Sequence, residues 1–112
     1  DALGRSTGRE RPRLDAPRFV REVCRLLEIE VAQVASSLKD GRTAEARRML
    51  AVLGVERWRQ SGAEIARVLG KNPDLVSWWV SEGARRRLND SRFAERLEKI
   101  DEALSRTASG GR

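Results

Sequence analysis

Between Ser61 and Pro73 the sequence carries a helix start, a helix stop and a second helix start in close succession. Ser61 followed by Glu64 forms a capping box, in which the hydroxyl serves one orphan N–H of the first turn and the carboxylate reaches back to another. Gly70 supplies the residue that tolerates the left-handed exit from a helix. Asn72 before Pro73 opens the next helix, with Asn as cap and Pro at the first position, where a missing N–H costs nothing. Two helices joined by about three residues form a tight helical corner.

The flanking segments carry the same period. Asp15-Ala16-Pro17 is a start signal, and Phe19, Val20, Val23, Cys24, Leu26 and Leu27 follow it at spacings of three and four. Val31, Val34 and Leu38 suggest a short extra turn or helix before the polar stretch Lys39-Asp40-Gly41-Arg42. Thr43 can cap the helix that follows, whose apolar face runs through Ala46, Met49, Leu50 and Leu53 towards Trp58, with Arg47, Arg48, Arg57 and Arg59 off it. After a break at Asn89-Asp90-Ser91, the residues Phe93, Leu97, Ile100 and Leu104 line one face of a terminal helix. No segment alternates with period two over a strand length. The expectation is a small all-α domain of about five helices with a helix-turn-helix, spanning 15–105. A basic, flexible linker over 1–14 and a flexible tail over 106–112 flank it.

Composition then narrows the chemistry. The chain has 112 residues, with 23 Lys and Arg against 17 Asp and Glu, a net charge of +6, and no histidine or tyrosine. Length allows one core, and the basic balance favours a polyanionic partner. Without histidine or tyrosine there is no imidazole acid or base, no Ser-His-Asp or Cys-His system and no tyrosine nucleophile. This segment is therefore expected to be no enzyme and to need no cofactor or metal. Cys24 is the lone cysteine, so no internal disulfide can form. At helix spacing it is expected in the core, and a reducing, cytoplasmic compartment is the natural reading. No stretch approaches the ~20 apolar residues of a membrane span, so no membrane partner is expected. A start at Asp1, with no apolar leader, reads as a domain excised from a longer chain.

Within 61–81 the small and apolar positions Ile65, Ala66, Leu69, Gly70, Val76, Trp79 and Val80 fall at the spacing of a DNA-binding helix-turn-helix. Ala66 would let the helices approach, Gly70 takes the turn, and Val76 and Trp79 point back into the core. The second helix would then enter the major groove of double-stranded DNA with Asn72, Asp74, Ser77, Trp78 and Ser81 towards the bases. Asn pairs bidentately with adenine, Asp accepts from the cytosine amino group, and Ser serves either base. Trp78 is equally suited to a thymine methyl, a protein interface or a cover for the last helix. Arg42, Arg47 and Arg48 before the motif, Lys71 in its turn, and Arg85, Arg86 and Arg87 after it are the candidates for phosphate. The alternative is a helical protein-interaction module that uses Trp78 and the terminal helix, with its charges serving solubility. A homodimer or another domain of the same parent chain is a further possible partner.

The segments VCRLLEIEVAQV (23–34), ARRMLAVL (46–53) and SGAEIARVLG (61–70) resemble, in order and spacing, the C-terminal DNA-binding domain of DnaA, the bacterial replication initiator. The resemblance covers residues 16–105. It implies a Trp-repressor-like helical fold and a nucleoid-associated location. It also implies backbone or minor-groove contacts from Arg47, which opens the ARRMLAVL-like helix, and from the basic loop Lys39 through Arg42. Where the family opens its recognition helix with aspartate-histidine-threonine-threonine-valine, this chain has Asn72-Pro73-Asp74-Leu75-Val76. The implied likeness is to the scaffold, not to the reading head. Such domains also resemble C-terminal extensions of bacterial transposases of the REP-associated tyrosine type, which implies a DNA-targeting role within a transposase-like or regulatory parent.

Overall fold

The computed structural model describes residues 11–110. Its helices are α1 (Ala16–Leu27), α2 (Val31–Ala35), α3 (Gly41–Arg57), α4 (Gly62–Leu69), α5 (Pro73–Asn89) and α6 (Ser91–Gly110), with no strand among the described residues. The domain is all-helical. The short α2 is the element that takes the total past five.

Local chemistry sets most of the boundaries. Asp15 accepts the Arg18 N–H at 2.9 Å, Ser61 accepts the Glu64 N–H at 3.0 Å, and Asn72 accepts the Asp74 N–H at 2.7 Å. Gly70 closes α4 in the left-handed region at φ 67°. Asp90 caps α6, its Oδ1 accepting from the Arg92 and Phe93 N–H groups. The cap of α3 is Asp40 rather than Thr43: its carboxylate accepts the Thr43 N–H at 3.2 Å and the Thr43 hydroxyl at 2.7 Å. Thr43 is fully buried, and its Oγ1 also accepts from Gln33 Nε2 at 2.8 Å, which ties α2 to the start of α3.

The central element is α3, where Ala46, Arg47 and every residue from Met49 to Gly54 are buried. A helix covered on so much of its circumference sits inside the bundle, which is why its sequence shows only a weak apolar stripe. The same core takes in Phe19, Val20 and Val23 of α1, Ile65 and Leu69 of α4, Val76 and Trp79 of α5, and Phe93, Leu97 and Leu104 of α6. The apolar stripe of α6 thus completes the core of its own chain. Cys24 lies there too, and burial, with Glu30 nearby, pushes its thiol up to about 11.

Two segments expected to be flexible are corrected in part. Of the 1–14 linker, residues 1–10 lie outside the described residues, but Leu14 is buried in the core and Arg11 pairs with Asp101. Of the 106–112 tail, residues 106–110 continue α6, and Ala108 packs on the core. Residues 111 and 112 lie outside the described residues. The domain is longer at both ends than helix periodicity indicates. Leu14 ends a basic stretch with no apolar period, and Ala108 has too little apolar surface to mark a face.

Gly83 positions α5. A Cβ built there would lie 2.7 Å from the Arg48 carbonyl oxygen and 3.0 Å from Val52 Cβ, so the α3 and α5 backbones touch at this residue. Gly83→Ala should force the two helices apart and cost about 1–3 kcal/mol. Urea unfolding followed by circular dichroism measures that loss.

Candidate nucleic-acid interface

The corner anticipated at 61–73 is present: α4 ends at Leu69, Gly70 turns, and Asn72 caps α5. The Lys71 N–H donates to the Ala66 carbonyl at 2.8 Å, which closes the turn. Ile65, Ala66, Leu69, Val76 and Trp79 are buried beneath it, and Val80 is partly buried against the same core.

On the outer side of the first half of α5, the residues Asn72, Asp74, Ser77, Trp78 and Ser81 are all exposed. They form the row expected to meet bases. No hydrogen bond within the described residues engages the Ser77 or Ser81 hydroxyl. Asn72 is less free than its residue type suggests, because its carboxamide oxygen is the helix cap. Two-point recognition of adenine would compete with that cap. Asp74 sits in the first turn, where a carboxylate complements the helix dipole.

The cations divide into three groups. Lys39, Arg48 and Lys71, together with Arg47, line a cleft of about 450 Å³ between the 36–40 loop, the start of α3 and α5. Its remaining lining is Ser36, Ser37, Ala44, Leu75, Trp78 and Trp79, with no carboxylate among them. Lys71 donates to the Ser36 carbonyl at 2.9 Å. The Arg48 guanidinium lies 5.6 Å from the centre of the Trp78 ring. A second group is exposed but outside the cleft: Arg42 donates to the Glu28 carbonyl, and Arg85 pairs with Glu82. A third group is less exposed and held mostly by carboxylates from other parts of the fold, with Arg86 paired to Asp90 and Glu45 and Arg87 to Glu56 at 2.6 Å. Arg86 and Arg87 are therefore poor candidates for phosphate.

Arg47 requires a larger correction. Expected as a contact to DNA, it is only 8% exposed. Its Nε donates to the Val34 carbonyl at 3.0 Å, Nη1 to Leu38 at 2.6 Å and Nη2 to Ser36 at 2.7 Å. The guanidinium also lies 5.8 Å from the centre of the Trp79 ring. Its fork is spent on the end of α2 and the loop that follows, so Arg47 shapes the cleft wall instead of reaching out of it.

Leu75 is the residue that sequence reasoning passed over. It is 37% exposed and lines the cleft beside Trp78, itself 52% exposed. The signal was available, since positions three apart on a helix share a face. Among the described residues no group of three or more metal-ligating side chains occurs, and no helix is long and apolar enough to cross a membrane. Comparison of the chain with protein-family models, with curated proteins and with solved structures gives no match.

Proposed function

We propose that this chain is a sequence-directed domain for binding double-stranded DNA, with α4 and α5 as its helix-turn-helix and α5 as the helix that enters the major groove. The observation that carries this reading is the juxtaposition on one side of the molecule. An exposed polar row at the start of α5 stands beside Lys39, Arg48 and Lys71, none of which has a carboxylate partner among the described residues. Base readout falls to Ser77, Ser81, Trp78 and Asp74, with the outward amide of Asn72. Lys39, Arg48 and Lys71, with Arg42 and Arg85 further out, take phosphates. The role is binding alone, with no catalytic step and no cofactor. As part of the same proposal, the scaffold is of the DnaA C-terminal type and delivers a transposase-like or regulatory parent to a site on bacterial DNA in the cytoplasm.

A division of labour follows. Duplexes recovered from a randomised pool by the unaltered protein should share a motif. Ser77→Ala should relax the preference at one position within it by about 1–3 kcal/mol. Lys39→Ala should weaken all duplexes by a similar factor and lower the salt slope by about one. If both variants change binding in the same way, α5 is not the reading element.

One observation favours a second reading. The apolar surface at Leu75 and Trp78 suits a protein partner as well as a sugar or base. The contribution of the terminal helix to that alternative is lost, because its apolar stripe is buried in the core.

A further inference from the structure

The cleft beside α5 is more than the flank of a recognition helix. Side chains that enter the major groove of a duplex need only an exposed row, yet here Ala44, Leu75, Trp78 and Trp79 floor a concave, mostly apolar space of about 450 Å³. That volume is within the range of small-ligand sites. Among the described residues its charged lining is entirely basic, from Lys39, Arg47, Arg48 and Lys71. The occupant that fits this combination is flat and apolar on one part and anionic on another.

Arg48 adds an independent sign. Among the described residues, its solvent-shielded Nε has no hydrogen-bond partner, and its guanidinium has only the Trp78 ring beside it. Buried polar groups are almost always satisfied. An arginine left in this state gains by turning towards an anion that enters the cleft. Arg47 is fixed by three carbonyls, and Lys71 is held at the rim by the Ser36 carbonyl, so the wall is built before any ligand arrives.

We infer that the cleft is a seat for one unpaired nucleotide of the bound DNA, its base stacked on Trp78 and its phosphate met by Lys39, Arg48 and Lys71. Aromatic stacking with a cationic rim is the general chemistry by which unpaired nucleotides are held. The inference rests on the DNA-binding reading, because the same ligand that occupies α5 brings the nucleotide to the cleft. An acidic aromatic peptide would share the charge and the ring but requires a separate partner.

The test compares a blunt duplex with the same duplex carrying one unpaired nucleotide, each fluorescently labelled, against the full chain and Trp78→Ala. The bulged duplex should bind the unaltered protein roughly tenfold more tightly than the blunt one. Trp78→Ala should bring that ratio close to one, and Trp78→Phe should restore most of it. Equal binding of both duplexes by the unaltered protein, or a preference that survives Trp78→Ala, overturns the cleft inference and leaves duplex recognition standing. Failure to bind either duplex removes both. Saturable quenching of tryptophan fluorescence by an acidic aromatic peptide, lost in Trp78→Ala, with no preference for the bulged duplex, overturns the inference in favour of a protein occupant.

Discussion

Replacing Asp101 by alanine should lower the unfolding free energy by about 3–5 kcal/mol, the cost of removing one partner from a buried ionic cluster. Asp101 is 4% exposed. Its carboxylate accepts from the Trp58 indole N–H at 2.8 Å, from Arg57 Nη1 at 2.9 Å and from Arg11 Nε at 3.0 Å. These donors come from the end of α3 and from the segment before α1, so one carboxylate on α6 ties three parts of the chain together. Truncation leaves the buried Trp58 indole N–H without its acceptor and takes a shared carboxylate from Arg11 and Arg57. Asp101→Asn keeps the shape but not the charge, and should fall between the two proteins in urea midpoint.

The same group gives stability an acid limit. Burial alone would raise the Asp101 carboxyl, but the hydrogen bonds from Arg11, Trp58 and Arg57 outweigh it and hold the group below the usual carboxylate value. A carboxyl lowered on folding contributes stability that is fully present above its unfolded pKa of about 3.9 and is lost as the pH falls through the folded value. The acid arm of a stability profile should therefore flatten in Asp101→Ala relative to the unaltered protein. An identical acid arm in both would show that the cluster contributes nothing.

The second large effect concerns Arg47. Arg47→Ala removes a charged donor from the carbonyls of Val34, Ser36 and Leu38, of which Ser36 keeps the Lys71 ammonium. Hydrogen bonds to charged groups contribute about 1.5–3 kcal/mol each, less what water recovers at the partly open Ser36 and Leu38, so a total loss of about 3 kcal/mol is expected. DNA binding should weaken too, through the loop that carries Lys39 and borders the cleft. The telling comparison is Arg47→Lys. Were Arg47 a phosphate contact, lysine would preserve most of the affinity. As a fork serving three carbonyls it is poorly replaced by a single ammonium, so Arg47→Lys should resemble Arg47→Ala in both stability and affinity.

Legibility in the sequence followed the range of the interactions. The caps at Asp15, Ser61 and Asn72 and the stop at Gly70 act within a few residues, and each stands where its residue type places it. The exposed row on α5 was also legible, because burying Val76 and Trp79 turns Ser77, Trp78 and Ser81 outward by helical geometry alone. What failed to show depends on residues distant in the chain. Arg47 lies off the apolar stripe, and its burial comes from an irregular segment that no period can place. Arg86 and Arg87 look like Lys39 in composition, and only the positions of Glu45, Glu56 and Asp90 separate paired from unpaired charge. Arg11 joins the domain through Trp58 and Asp101, and Leu14 through its carbonyl, which accepts from Gln60, all partners distant in the sequence.

The most direct test of DNA recognition by α5 is a fluorescence anisotropy titration of the full chain with a blunt duplex at about 50 and 200 mM salt. Five unburied cations, Lys39, Arg42, Arg48, Lys71 and Arg85, imply a slope of log affinity against log salt on the order of −4 to −5. A slope of that size supports the interface described above. Affinity that ignores salt, or no binding at the lower concentration, would contradict it and leave the Leu75 and Trp78 surface to a protein partner.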